Sequence, residues 1–400
     1  FLNQAMGLRL SAEDVAALAS RTEGWIAGLQ MAAVSMQGRE DPGGFVHAFS
    51  GSHRHVLDYL AEEVLMQQPA TVRDFLLQTA ILDRLTGPLC DAVLGGEAGQ
   101  PMSEDDQPSR APSPLRAPAS SHEILEFLDR MNLFVVPLDE ERRWYRYHYL
   151  FADLLRRRLQ QTQPDSVRAL HHRASIWCEQ QGLMAEAVGH ALSAEDFARA
   201  LQLVELGAES AMMCSQVATL QGWVEALPDE LVRTRPILCV YHTWALLLNG
   251  SPIEVAEARL QEAVDADPAG SIAGEVLALR ALIATYQGKD SQSAELSRRA
   301  LDLLPDDRLF FRSFIAGYLG YSTLHRGDLV AARQALQEAV RIGQQAGNLM
   351  NVVLALYHLA EVALLEGHPK EARECYEQAL AMAVDEQGQP QPCLLYTSPS

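Results

Sequence analysis

The segments LGYSTLHRGDLVAARQALQEA (residues 319–339) and LAEVALLEGHPKEARECYEQA (residues 359–379) are two copies of one pattern. Each has a small residue (Gly320, Ala360), a glycine seven positions on (Gly327, Gly367), and alanines five and twelve positions beyond that (Ala332 and Ala339, Ala372 and Ala379). Small residues at fixed helical offsets let two helices pack closely, and the glycine turns the chain between them. Working backwards, Gly288 repeats the turn with Ala281 before it and Ala300 after it, and Gly250 opens the series, so the spacings are 38, 39 and 40 residues. The unit after Gly250 fits only with a shift of one to three residues, and Pro268 and Pro305 close the first two units. Trp177 to Leu192, with Gly182 and Ala187, is a further, degenerate helical hairpin. From Gln163 onward only helical periodicity is visible, which predicts an α-solenoid of tetratricopeptide type with units longer than the usual ~34 residues.

Upstream the pattern changes. Ser11 followed by Glu13 and Asp14 is a helix start, and Gly24 to Val34 is an apolar helical stretch rich in small residues. Asp41-Pro42-Gly43-Gly44 is a linker. Three short helices are expected at Val56–Met66, Thr71–Thr79 and Leu89–Leu94, with Pro69 and Pro88 at helix starts. Gln100 to Ser121 contains five prolines and few large apolar residues, and is expected to be a disordered loop. A helix from Glu123 to Asn132, strands at Leu133–Leu138 and Trp144–Tyr149, and a helix from Leu150 to Leu159 then give the order of a winged-helix module.

Composition narrows the function classes. The net charge is −20, and Lys289 and Lys370 are the only lysines, so the surface as a whole is unsuited to nucleic acid. The six cysteines have no paired spacing and read as reduced thiols of a cytoplasmic protein. No apolar run is long enough to span a membrane. The chain begins at Phe1 in mid-pattern and reads as an internal piece of a longer protein.

Three separated motifs carry a specific resemblance: Arg21 to Gln30 (RTEGWIAGLQ); Tyr59 to Leu65 (YLAEEVL) with Phe75 to Leu82 (FLLQTAIL); and Arg143 to Leu155 (RWYRYHYLFADLL). Together with the repeats, they make the chain similar to the MalT-like, large ATP-binding transcription regulators of the LuxR type, a class of signal-transduction ATPases. The resemblance implies a mainly α fold: a helical domain at 1–44 beside a nucleotide-binding domain, a winged-helix-like domain at 45–160 with a disordered insertion at 100–121, a helical arm at 161–235, a truncated superhelix at 236–386 and a disordered or non-native tail at 387–400. It further implies ATP or ADP as the ligand of the full-length protein, with no cofactor in this segment. Its implied partners are a small-molecule or protein inducer on the superhelix, self-association, DNA only through a C-terminal helix-turn-helix, and no membrane. No phosphate-binding loop is present in the sequence, so the chain by itself is not expected to be an enzyme.

By the same resemblance, His148 is similar to the histidine by which related signalling ATPases touch the ADP β-phosphate; the competing reading is a histidine packed among Tyr147, Tyr149 and Phe151. The arginines at 142, 143, 146 and 156–158 alternate with acidic residues, which favours a solvated or interdomain face over DNA contact. His171 and His172 are adjacent on a helix, about 100° apart, and make poor joint metal ligands. No catalytic constellation stands out. On the first helix of each repeat, Trp244 and Tyr321 lie six residues before their turn glycines, Tyr286 and His325 two before, and Tyr357 falls on the same face. These aromatics are either ligand contacts in a groove or plain core. The runner-up to the regulator is a stand-alone repeat scaffold for a protein partner.

Overall fold

The computed structural model describes residues 11–21, 68–95, 120–130 and 135–384, with isolated positions before residue 66. Most of the helix at Gly24–Val34, the 41–44 linker, most of Val56–Met66, residues 100–119 and the 387–400 tail lie outside the described residues. Two compact units, Phe1–Asp196 and Phe197–Ser400, divide the chain.

The first unit opens with α1 (Ala12–Arg21). Its start is fixed as the sequence suggests: the Ser11 hydroxyl accepts from the Asp14 backbone N–H at 3.0 Å and donates to the Asp14 carboxylate at 2.7 Å. The next helices are α2 (Ala70–Thr79), α3 (Gly87–Leu94) and α4 (Ser121–Arg130). An antiparallel hairpin follows, β1 (Val135–Pro137) with β2 (Tyr145–Tyr147), in the register Val135 to Tyr147 and Pro137 to Tyr145. Leu85 adds a third edge: its N–H donates to the Tyr145 carbonyl at 2.7 Å and its carbonyl accepts in return at 2.9 Å. Helix, helix, helix, two-stranded wing, helix is a winged helix.

The second strand is shorter than the sequence suggests. His148 already leaves the ladder as the N-cap of α5 (Tyr149–Thr162), because Tyr145 and Tyr147 both point inward and the chain must turn to keep Phe151 and Leu155 in the same core. Tyr147 anchors the sheet to α2 through a 2.7 Å hydrogen bond between its hydroxyl and that of Thr79. The wing turn is closed by Asp139, whose carboxylate accepts from the N–H groups of Arg143 (2.7 Å) and Trp144 (3.2 Å), while Arg142 takes φ +53°. Helices α6 (Pro164–Gln180) and α7 (Met184–Ser193) complete the unit as a hairpin, with Gly182 at φ +72° and Ala187 fully buried.

The second unit is all helical among its described residues. It holds α8 (Phe197–Met213), α9 (Val217–Glu225), the single-turn α10 (Asp229–Val232), and then four helix pairs. The pairs are α11 (Pro236–Leu248) with α12 (Ile253–Asp265), α13 (Ala273–Tyr286) with α14 (Asp290–Leu303), α15 (Leu309–His325) with α16 (Leu329–Ala346), and α17 (Leu349–Leu365) with α18 (Pro369–Ala383). The turn glycines read from the sequence, Gly250, Gly288, Gly327 and Gly367, all take φ between +69° and +81°, a conformation that a side chain disfavours. The small residues do what the spacing suggests. A Cβ on Gly320 would stand 2.4 Å from Leu336 Cγ, so α15 and α16 approach only because it is absent. Ala281, Ala300, Ala332, Ala339 and Ala360 are all fully buried at the matching positions.

Candidate ligand cleft in the helical repeats

The first helices of three consecutive pairs, α13, α15 and α17, enclose a cleft of about 260 Å³. Thr285 and Tyr286 come from α13; Phe314, Gly317, Tyr318 and Tyr321 from α15; Asn351, Leu354, Ala355 and His358 from α17. The walls are aromatic because α15 puts Phe314, Tyr318 and Tyr321 on one face at intervals of three or four residues, and α13 and α17 each add one ring, Tyr286 and His358. Phe314 and Tyr318 lie 4.8 Å apart between centroids, and Tyr321 and His358 5.2 Å apart. The polar groups are held in place. Asn351 Nδ2 donates to the Ser313 carbonyl at 2.8 Å, the Thr285 hydroxyl donates to the Ala281 carbonyl at 3.0 Å, and His358 Nδ1 pairs with Glu361 at 2.7 Å. Tyr318 is hydrogen-bonded to Tyr286, and burial pushes its phenol well above the usual range, so it stays neutral.

Two of the residues singled out from the sequence, Tyr286 and Tyr321, line this cleft; Tyr286 stands at its mouth, 47% exposed. His325 lies outside the cleft lining: its ring packs 4.1 Å from that of Tyr321 and its Nδ1 is 3.0 Å from the Tyr321 carbonyl. Tyr357 also lies outside the lining, between His358 and Tyr376. Trp244 is corrected to core. It is 1% exposed and enclosed by Phe310, Phe311 and Phe314 at 5.1, 5.2 and 4.3 Å. The residues that the aromatic count missed had a signal of their own. Tyr318 and His358 both lie nine positions before their turn glycines, and Phe314 and Leu354 thirteen before.

In the first unit, His148 is 6% exposed, and its ring stacks on Tyr149 at 5.4 Å. The wing arginines are paired locally: Arg142 with Asp129 at 2.7 Å, Arg156 with Asp83 at 2.7 Å, and Arg143 with Asp139 and Glu141. His171 and His172 diverge to different partners, His190 at 2.9 Å and Asp196 at 3.0 Å. Burial, the neighbouring His190 and Arg156 together lower His171 to about 4. That imidazole pair lies in a second cleft, of about 400 Å³, with Asp83, Arg84, Trp144 and Glu186. Among the described residues no group of three acidic, histidine or cysteine side chains is placed to hold a metal, and no helix is long and apolar enough to cross a membrane.

The described residues thus form a winged helix and a series of tetratricopeptide-like helix pairs. Comparison with known proteins agrees in both parts. Residues 61–167 match the MalT winged helix domain, and residues 274–398 match the MalT-like TPR region. The serine/threonine-protein kinase PknK of Mycobacterium tuberculosis is 32% identical over 318 residues, covering 76% of this chain and 26% of the kinase. The HTH-type transcriptional regulator MalT of Yersinia pestis is 27% identical over 378 residues, covering 92% of this chain and 39% of the regulator. A STAND protein with a tetratricopeptide repeat sensor from Pyrococcus horikoshii shares the fold, with a TM-score of 0.56 at 13% identity over 88% of this chain and 52% of its own. Both matched parts of the chain are thus MalT-like, a winged helix domain and a TPR region, and the chain spans between about a quarter and two fifths of the length of these curated relatives.

Proposed function

We propose that this chain is the sensor and coupling region of an inducer-responsive transcription regulator. The observation that supports this most directly is the aromatic cleft spanning three repeats: a ligand seated there touches α13, α15 and α17 together, and so acts on the angle between successive helix pairs. The winged helix and the α6–α7 hairpin would pass that change to a nucleotide switch supplied by another part of a longer protein, and that protein would self-associate and bind DNA through a helix-turn-helix. In this reading the segment holds no cofactor and catalyses nothing, ATP or ADP binds elsewhere, and the protein works in the cytoplasm. His148 would report on the ADP phosphate. Since it is buried against Tyr149, it would do so at an interface closed in the resting state.

The experiment has two arms. Thermal shift of the chain against a panel of small molecules is compared with Gly317→Leu, which fills the cleft floor from a position where even a Cβ would stand 3.0 Å from Asn351 Oδ1. Hits that vanish in the variant support the ligand site; hits that persist refute it. In the longest native protein containing this segment, tight ADP binding weakened by His148→Ala supports the switch. Absence of nucleotide binding in both leaves a repeat scaffold for a protein partner as the function.

A further inference from the structure

We propose that the cleft between α13, α15 and α17 is an aromatic cage that accepts an alkylated ammonium group; this rests on reading the cleft as the ligand site. Five rings from three helices line it: Tyr286, Phe314, Tyr318, Tyr321 and His358. None of its ten lining residues is Lys, Arg, Asp or Glu. An anion or a compact, strongly hydrated cation would therefore shed its water without gaining a charged partner. An alkylated ammonium is different. Its charge is spread over methyl groups, it gives up little hydration, and the negative faces of aromatic rings attract it.

Three further features select for positive charge. The lining rings meet at angles, 49° for Phe314 with Tyr318 and 65° for Tyr321 with His358, rather than face to face; Tyr321 also packs on His325 and Phe314 on Trp244, so only their remaining ring surface is offered to the cleft. His358 is held by the Glu361 carboxylate at 2.7 Å, which places negative charge directly behind one wall. The net charge of −20 raises the local concentration of any cationic ligand. Gly317 contributes by omission: its missing side chain keeps the floor open beside Asn351.

Choline and its uncharged isostere 3,3-dimethylbutan-1-ol separate this inference from the reading it rests on. Both are titrated into the full chain by calorimetry. Choline is expected to bind about ten- to thirtyfold more tightly, the range of a desolvated cation–π contact. Tyr286→Leu and Tyr321→Leu keep the apolar area and should abolish that preference, whereas Tyr321→Phe keeps the ring face and should retain it. Tyr286 is half-exposed, so its leucine variant leaves the helix core intact. Equal binding of the two probes overturns the cage while leaving an apolar ligand site. Binding of neither overturns the cage as well, and the thermal-shift panel with Gly317→Leu then judges the site on its own.

Discussion

Trp244 and Tyr321 hold the same position in their repeats, six residues before the turn glycine, yet one is sealed and the other lines an open cleft. The difference lies in what the neighbouring helices supply. Trp244 on α11 meets Phe310, Phe311 and Phe314 of α15, which enclose it on several sides. Tyr321 on α15 meets His358 of α17, and the smaller Leu354 and Ala355 that line the same cleft leave volume unfilled. Repeat position sets which way a side chain points; the packing partners set whether it is covered.

The largest test of this contrast is truncation. Trp244→Ala should cost about 3–5 kcal/mol of stability, because it empties a packed aromatic cluster. Tyr321→Ala should cost clearly less, since part of its surface already faces the cleft; urea denaturation measures both. Equal losses would mean that the cleft closes in solution.

Acid should act on the sealed side. His242, two residues before Trp244 on α11, is buried, and burial together with the Arg259 charge lowers it to about 4. A histidine with a depressed folded value is neutral when folded, so its contribution is fully present above the unfolded value near 6.5. It is lost as pH falls from there towards 4, by about 2 kcal/mol at pH 5. His171 behaves in the same way in the first unit. Urea midpoints at pH 7 and pH 5 should therefore separate in the wild type, and His242→Leu should shrink the separation. An unchanged slope would show that His242 is solvated.

Gly320 tests the other face of α15, where it crosses α16. Alanine there gains about 1 kcal/mol of helix propensity but pushes a methyl into Leu336 and costs about 1–3 kcal/mol in overpacking. A net loss of about 1 kcal/mol is expected, and a stabilised variant would mean that α15 and α16 have slack. The smallest effect should come from the rim. Arg333 bridges Glu366 and Glu371 between the last two pairs with all three partly exposed, so Arg333→Ala should cost under about 1 kcal/mol and less in high salt.

Much of the fold was legible in the amino-acid order. Glycines at 38–40 residue intervals and alanines at fixed offsets imply helix pairs, because glycine takes the left-handed turn conformation most readily and small side chains allow close crossings. The winged helix was legible from its order of helices, hairpin and helix, although the strand's end at His148 was not: the sequence continues aromatic while the core requires a turn. The cleft was half legible. Tyr286 and Tyr321 stand out by position; Tyr318 and His358 do so only when offsets of nine are compared.

Local order along the chain thus determined the helix pairs, their turns, their close crossings and the face on which the aromatics sit, since periodicity and backbone conformation are properties of neighbours in sequence. Only the tertiary structure decided which of those aromatics are core and which enclose a cavity. That outcome depends on the summed volumes of side chains from helices 35 to 70 residues apart, such as Trp244 with Phe314 and Tyr321 with His358, and no local pattern encodes how completely they fill the space between them.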